Sequence, residues 1–162
     1  MLPEGFGSAG GLGSGLKVGD VVIGSETVHH DVDATAFGYA PGQVPQLPPT
    51  FAADATLAAA AETAAQAFPH AAVTRGLIAS GDQFIHSAEA ATAIRARFPA
   101  VQAVEMEAAA IAQTCAQLGV PFVVIRALSD SADEKADVSF EQFLETAAVH
   151  SAEMVGRIIA AL

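Results

Sequence analysis

Short apolar segments that alternate with alanine-rich segments are the main structural signal of this sequence. Runs of β-branched and other apolar residues predict strands at residues 18–30, 73–80, 101–104 and 121–128. Alanine-rich segments, three of them closed by proline or glycine, predict helices at residues 52–68, 89–98, 106–118 and 139–162. Strands alternating with helices are typical of an α/β fold, so we expect a mixed, mainly parallel twisted sheet flanked by helices.

Two segments lack this pattern. The N-terminal segment is rich in glycine up to Gly15 and contains no strand-like run. Residues 31–51 contain four prolines and three aromatic residues, which predicts a long ordered loop. No repeat or linker divides the sequence, and its 162 residues suffice for one core, so we expect a single domain over residues 1–162.

Unusual residues follow three of the predicted strands. They are Glu105, Met106 and Glu107 after VQAV, Ser129 and Asp130 after VVIRAL, and the segment GDQFI (residues 81–85) after RGLIAS. In α/β sheets, ligands bind at the carboxyl ends of the strands. We therefore expect Glu107, Asp130 and Phe84 to lie around one crevice.

Each of these charged residues also has a purely structural interpretation. Glu105 and Glu107 fit the start of a helix, where the macrodipole favours carboxylates. Asp130 fits a helix cap or a turn. Arg126 lies inside an apolar strand, where an unpaired charge is costly, so it needs a carboxylate partner. The resulting ion pair can be structural or functional.

Composition and charge exclude several classes of partner. Seven basic and eighteen acidic residues give a net charge of −11, and no basic cluster is present, so we expect neither nucleic acid nor an anionic membrane as partner. No apolar run approaches the ~20 residues of a membrane span, and the N-terminus does not resemble a signal peptide. The single cysteine, Cys115, fits a reducing compartment and a buried position. We expect a cytoplasmic protein.

A metal or nucleotide-phosphate site has weak support. His29, His30, Asp31 and Asp33 are close in sequence, but adjacent histidines at a strand end point to opposite faces. The N-terminal glycines do not follow a strand into a GxGxxG helix start. We therefore expect no metal site at these residues and no nucleotide-phosphate loop at the N-terminus.

Six sequence blocks, in order along nearly the whole chain, resemble a known family. The blocks are GSAGGL (7–12), LKVGDVV (16–22), DATAFGY (33–39), SGDQFI (80–85), AVEMEAAAIA (103–112) and PFVVIRALSD (121–130). The family is the bacterial 5′-methylthioadenosine/S-adenosylhomocysteine nucleosidases of the purine nucleoside phosphorylase superfamily. The resemblance implies hydrolysis of the N-glycosidic bond of methylthioadenosine, S-adenosylhomocysteine and 5′-deoxyadenosine, as in methionine salvage, without a cofactor or metal.

The resemblance also implies roles for residues of this chain. Asp130 would be the general acid that protonates adenine at N7, and Ser129 would orient it. Phe84 would stack on adenine, while the backbone of Ile85 would contact the base edge. A buried position at an apolar strand end favours the protonated form of an aspartate, as this role requires.

The remaining implied roles concern the sugar and its 5′ substituent. Glu107 would bind the ribose hydroxyls, Met106 would pack on the sugar, Ser8 would lie near the catalytic water, and Phe140 would close over the ligand. The loop with Phe37, Tyr39 and Pro45 would line the 5′-alkylthio pocket, partly across a homodimer interface.

The chain departs from the family pattern at its N-terminus. The family has first strands with a Gly-Ala-Met stretch and a water-activating glutamate before the GSAGGL block, whereas this sequence begins just before that block. Polar and proline residues also replace the strand that leads into GSAGGL. We therefore expect a fold that lacks the family's first strands and has open sheet edges. Such a chain, as the C-terminal part of the family's domain, would bind adenine but turn over substrate slowly.

Two other functions remain open. One is an inactive nucleoside-binding or dimerisation domain. The other is a related purine nucleosidase or phosphorylase, for example one acting on aminofutalosine. The aspartate at position 130 favours adenine, because an amide side chain at this position would suit 6-oxopurines better. Phosphorolysis would require basic phosphate ligands, and the few arginines lie mostly on predicted helices.

Overall fold

The computed structural model describes residues 4–68, 71–132, 143 and 152–160. Its strands are β1 (Glu4–Gly11), β2 (Val21–His29), β3 (Phe51–Ala52), β4 (Val73–Ser80), β5 (Val101–Glu105) and β6 (Val123–Asp130). Its helices are α1 (Ala55–Ala65), α2 (Ala88–Arg97), α3 (Ala108–Leu118) and α4 (residues 152–160), with a 3₁₀ turn at Thr35–Phe37. The mixed α/β fold predicted from the sequence is confirmed.

Local capping explains where the helices begin and end. The Asp54 carboxylate accepts the backbone N–H groups of Thr56 and Leu57, both at 2.9 Å, so α1 begins at Ala55 rather than at residue 52. Helix α3 ends as predicted at Gly119, which has a left-handed φ of 67°. Part of the helix predicted over residues 139–162 lies outside the described residues.

The six strands form one sheet in the order β3-β2-β4-β5-β1-β6. Strand β2 also pairs with β6, so five strands form a closed ring. The three longest ladders, β1 with β6, β2 with β4 and β4 with β5, are parallel, and the other three are antiparallel. Strands β4 and β5 run in the same direction, whereas β6 runs in the opposite direction to both. The carboxyl ends of β5 and β6 nevertheless meet at β1, where Gly10 pairs with Val104 on one side and with Asp130 on the other.

Strand β1 corrects one prediction from the sequence. The N-terminal segment was expected to contain no strand, but Glu4–Gly11 lies between β5 and β6 and pairs with both. Its glycines are needed for close packing, because a Cβ on Gly7 would lie 2.5 Å from Arg126 Nη1 and one on Gly10 would lie 2.8 Å from Asp130 Oδ1. Pairing on both sides stabilises this strand despite the poor strand propensity of glycine.

Three apolar clusters hold helices against the sheet. Helix α3, including the buried Cys115, packs with residues of β2, β4 and β6. Helix α2 packs against β4 and β5. Helices α1 and α4 cover β2 and β6. Every residue of β6 is buried, as its continuous apolar run predicted, so Ser129 and Asp130 end a rigid central strand.

Among the described residues, no helix combines the length and the apolar character that crossing a membrane requires.

Candidate active site

The carboxyl ends of the central strands surround a pocket of about 330 Å³. Its lining consists of residues 7–10 of β1, residues 83–85 after β4, residues 104–107 at the end of β5, and Ser129 and Asp130 of β6. Glu107, Asp130 and Phe84 therefore share one pocket, in agreement with the expectation from their positions at strand ends.

Asp130 is held rigidly in the pocket wall. Its side chain is almost fully buried, with 2% exposure. The Ser129 hydroxyl donates to Asp130 Oδ2 at 2.8 Å, and the Ala132 N–H donates to Oδ1 at 2.7 Å. The carboxyl group thus has a fixed orientation toward the pocket.

A buried ion pair forms the floor beneath the start of α3. Arg126, at 2% exposure, pairs with Glu105, whose side chain is equally buried. Glu105 also accepts the N–H groups of Ala108 at 2.9 Å and Glu107 at 3.1 Å, together with the hydroxyl of Ser80. Glu105 is therefore the carboxylate partner that Arg126 requires, and it also caps helix α3.

Glu107 occupies a different environment from Glu105. Its carboxylate is largely exposed to the pocket and lies 3.4 Å from Arg126 Nη2. Partial burial, followed by the negative charge of Glu105, raises the pKa of Glu107. A ligand in the pocket would meet a carboxylate with free oxygen lone pairs, which suits hydroxyl donors.

Two half-exposed apolar side chains give the pocket an apolar character. Phe84 is 43% exposed and Met106 is 42% exposed, and both line the cavity. Ile85 is buried, and both it and Ser8 of β1 also line the cavity. A flat apolar ring next to a buried carboxyl group is suited to a heteroaromatic ligand.

The other residues singled out from the sequence lie elsewhere. Phe37, at 83% exposure, Tyr39 and Pro45 are in the loop of residues 31–50, and they do not line this pocket. Phe140 lies outside the described residues.

The two histidines have separate surroundings. His29 Nε2 pairs with Gln113 Oε1 at 2.9 Å, whereas His30 Nε2 is buried and has no hydrogen-bond partner in the described part of the chain. Burial lowers the pKa of His30, with a smaller opposing effect from Asp31. The described residues contain no group of three or more potential metal-ligating side chains.

Sequence reasoning missed two residues that support the site. Ser80 donates to Glu105 and accepts the Ala109 N–H at 2.8 Å, which fastens α3 to the end of β4. Gly10 leaves the space that Asp130 occupies. The position of Ser80 as the last polar residue of an apolar strand was an available signal, but nothing in the sequence distinguishes Gly10 from its neighbouring glycines.

Comparison with known proteins agrees with this geometry. The family model of the phosphorylase superfamily matches residues 5–160. The chain belongs to the phosphorylase superfamily. Within this superfamily, it is 59% identical over 149 residues to a 5′-methylthioadenosine/S-adenosylhomocysteine nucleosidase of Anoxybacillus flavithermus, a match covering 92% of this chain and 64% of that protein.

Solved structures of the phosphorylase superfamily give the same result. The Neisseria meningitidis 5′-methylthioadenosine/S-adenosylhomocysteine nucleosidase, in complex with methylthio-immucillin-A, is 66% identical with a TM-score of 0.96, covering 99% of this chain and 70% of that chain. A futalosine hydrolase mutant of Helicobacter pylori is 38% identical with a TM-score of 0.90, covering 98% and 68%. The family resemblance stated from the sequence motifs is confirmed, and the chain spans slightly less than two thirds of the Anoxybacillus protein's length.

Proposed function

We propose that this chain carries the base-binding and proton-donating residues of a 5′-methylthioadenosine/S-adenosylhomocysteine nucleosidase. The reaction cleaves the N-glycosidic bond of methylthioadenosine, S-adenosylhomocysteine or 5′-deoxyadenosine and releases adenine and the thioribose or ribose. The observation that carries the proposal is the common pocket of Asp130, Phe84 and Glu107. It has the acid, the stacking ring and the sugar-facing carboxylate that this reaction requires.

The base side of the reaction depends on Asp130. As the C–N bond breaks, its electron pair moves onto the purine, and a proton delivered to N7 neutralises the developing charge. The Asp130 carboxyl group, oriented by Ser129 at 2.8 Å, is the donor. Phe84 stacks on the adenine ring, and the backbone of Ile85 contacts the base edge.

The sugar side depends on Glu107. The ribose acquires positive charge as the bond breaks, and a carboxylate on its hydroxyls stabilises that charge more strongly in the transition state than in the substrate. Arg126, at 3.4 Å, fixes the Glu107 carboxylate. Met106 packs on the sugar, and Ser8 lies near the attacking water. The water oxygen bonds to C1′ as the C1′–N bond breaks, and the proton that the water loses passes to solvent, from which Asp130 regains the proton it gave to the base.

The 5′ substituent is recognised by a second chain. The strongly exposed Phe37, with Tyr39 and Pro45, does not line this chain's own pocket, which supports insertion into a partner's pocket in a homodimer. The reaction belongs to methionine salvage in the cytoplasm, and the single buried Cys115 is compatible with a reducing compartment.

The proposal is tested by binding and by adenine release. Calorimetry of the purified chain with adenine, a thioadenosine analogue and hypoxanthine is expected to detect binding of the first two only. Chromatography then measures adenine released from methylthioadenosine, which Asp130→Asn reduces by about 10²-fold or more.

Asp20→Asn is the matched control for this substitution. Asp20 is also a buried aspartate that accepts backbone N–H groups, from Lys17 at 2.8 Å and Ala72 at 3.0 Å, but it lies outside the pocket. It should lower stability without changing adenine release per folded molecule. Failure of the folded wild-type chain to bind adenine would contradict the proposal, while binding without release would favour the inactive nucleoside-binding domain.

A second candidate is an aminofutalosine nucleosidase, which the similarity to the Helicobacter pylori futalosine hydrolase supports. Such an enzyme shares the base and ribose chemistry and differs in the 5′ substituent. Competition between methylthioadenosine and aminofutalosine for the same preparation decides between the two, and a clear preference for aminofutalosine would replace the first proposal.

A further inference from the structure

The five residues that follow β4 form a short loop, which we call the base loop (residues 81–85). Gly81 and Ile85, at its ends, are buried. Asp82, Gln83 and Phe84, between them, are exposed. The packing of the two ends therefore does not by itself fix the backbone that carries the Phe84 ring.

A carboxylate from a distant part of the sequence contacts this exposed stretch. Asp31 Oδ2 accepts the backbone N–H of Asp82 at 2.8 Å, across 51 positions of sequence. The neighbouring Gly81 N–H donates to the Glu105 carbonyl at 3.1 Å, which fixes only the buried end. A side chain at Gly81 would overlap His30 Nε2, so the two segments are in direct contact.

Asp31 is itself held in place. The His30 N–H donates to the Ser80 carbonyl at 2.8 Å, which continues the β2–β4 pairing to the residue before Asp31. On the other side, Arg97 of α2 pairs with Asp33 at 3.0 Å and approaches the Val32 carbonyl at 3.5 Å. These contacts fix the chain on both sides of Asp31, so its carboxylate is placed to hold the Asp82 N–H in one position.

We propose that Asp31 is a positioning residue that holds the base loop, and with it Phe84, in the conformation that stacks on the purine. This inference rests on the proposed function, since it assigns the stacking role to Phe84. Asp31 also begins the loop that carries Phe37. The hydrogen bond therefore links the base-binding segment of the pocket to the segment proposed to enter a partner's pocket.

The proposal predicts an effect on binding rather than on the chemical step. Stacking on the purine is the same in the substrate and in the transition state, so losing the order of the base loop raises Kd and KM and leaves kcat nearly unchanged. The hydrogen bond is at the surface, and its loss is expected to weaken adenine binding about two- to tenfold.

The test compares Asp31→Ala with Asp31→Asn by calorimetry with adenine. Asparagine keeps a carbonyl oxygen for the Asp82 N–H, so it should restore wild-type affinity within about twofold, whereas alanine cannot. Asp54→Ala is the matched control, because Asp54 also accepts surface N–H groups, at the start of α1. It should lower thermal stability at least as much as Asp31→Ala and leave the adenine Kd unchanged.

Amide hydrogen exchange of Asp82, followed by NMR without ligand, gives a readout independent of the proposed function. Exchange should be faster in Asp31→Ala than in the wild type or Asp31→Asn. Unchanged exchange, an unchanged adenine Kd in Asp31→Ala, or equal losses in both variants would overturn the inference. If the wild-type chain binds no adenine, the proposed function is wrong, and the exchange rates alone decide whether Asp31 orders this stretch.

Discussion

Replacing Arg126 by methionine tests the buried charge network under the active site. Methionine has a similar length and fills most of the volume, so the main change is the loss of the guanidinium. Glu105 would then remain negatively charged and buried, without the guanidinium group that it pairs with in the described part of the chain. The substitution should therefore destabilise the fold through an uncompensated charge rather than through a cavity.

The structure indicates the size of this effect. Breaking a buried ion pair by removing one partner costs about 3–5 kcal/mol. Glu105 retains the N–H groups of Ala108 and Glu107 and the Ser80 hydroxyl as donors, which favours the lower end of that range. We expect Arg126→Met to lower the free energy of unfolding by about 3 kcal/mol. The double variant with Glu105→Gln should recover part of this loss, because no buried charge remains.

Urea unfolding followed by circular dichroism measures these differences. Arg157→Met is the matched control, because Arg157 forms an exposed pair with Glu153 at 2.8 Å, four residues apart on α4. Its loss should cost at most about 0.5 kcal/mol. The reasoning is refuted if Arg126→Met costs no more than Arg157→Met, or if the double variant is as unstable as Arg126→Met alone.

Three further predictions concern single residues. Gly10→Ala places a Cβ 2.8 Å from Asp130 Oδ1, so adenine release should fall about tenfold or more. Gly156→Ala is the control, because a Cβ at Gly156 meets open space. An unaffected rate in Gly10→Ala would argue against Asp130 as the donor. Burial lowers the pKa of His30 below 6.5, so the unfolded chain binds the proton more readily and unfolding free energy should fall as the pH drops below that value. Urea unfolding should show a smaller fall in His30→Gln, and equal falls would exclude this cause. As the pH is lowered, protonation of Glu107 should weaken methylthioadenosine binding. Because the pKa of Glu107 is raised, this loss should begin at a higher pH than for an ordinary glutamate, whose pKa is 4.5. Calorimetry should show no such loss when the wild type binds adenine, and none when Glu107→Gln binds methylthioadenosine. Parallel losses for the two ligands in the wild type would contradict the ribose contact.

The sequence was sufficient for the elements whose periodicity is strong. Strand β4 has the predicted ends, and β6 has the predicted burial on both faces, because apolar runs of this kind are stable only inside a sheet. Position at strand ends also indicated that Phe84, Glu107 and Asp130 share one pocket. The parallel strands β4 and β5 explain this for Phe84 and Glu107, whereas the oppositely directed β6 brings Asp130 there because β1 pairs with the ends of both β5 and β6.

Strand β1 shows the limit of this reasoning. Its composition argues against a strand, and its stability comes from backbone pairing with β5 and β6, which are distant in sequence. The glycines are explained only by what approaches them, namely Arg126 at Gly7 and Asp130 at Gly10. Local propensity contains no information about such close approaches, so neither the strand nor the importance of Gly10 could be predicted.

Glu105 and Glu107 show a second limit, which matters more for chemistry. The sequence indicates two carboxylates near one helix start, and either could neutralise Arg126. Their roles depend on where the strand stops: β5 includes Glu105, which turns beneath α3 and accepts its N–H groups, whereas Glu107 comes after the strand and faces the pocket. Because Glu105 provides most of the neutralisation of Arg126, Glu107 retains negative charge for a ligand. A shift of the strand end by two residues would exchange these roles, and periodicity does not determine strand ends that closely.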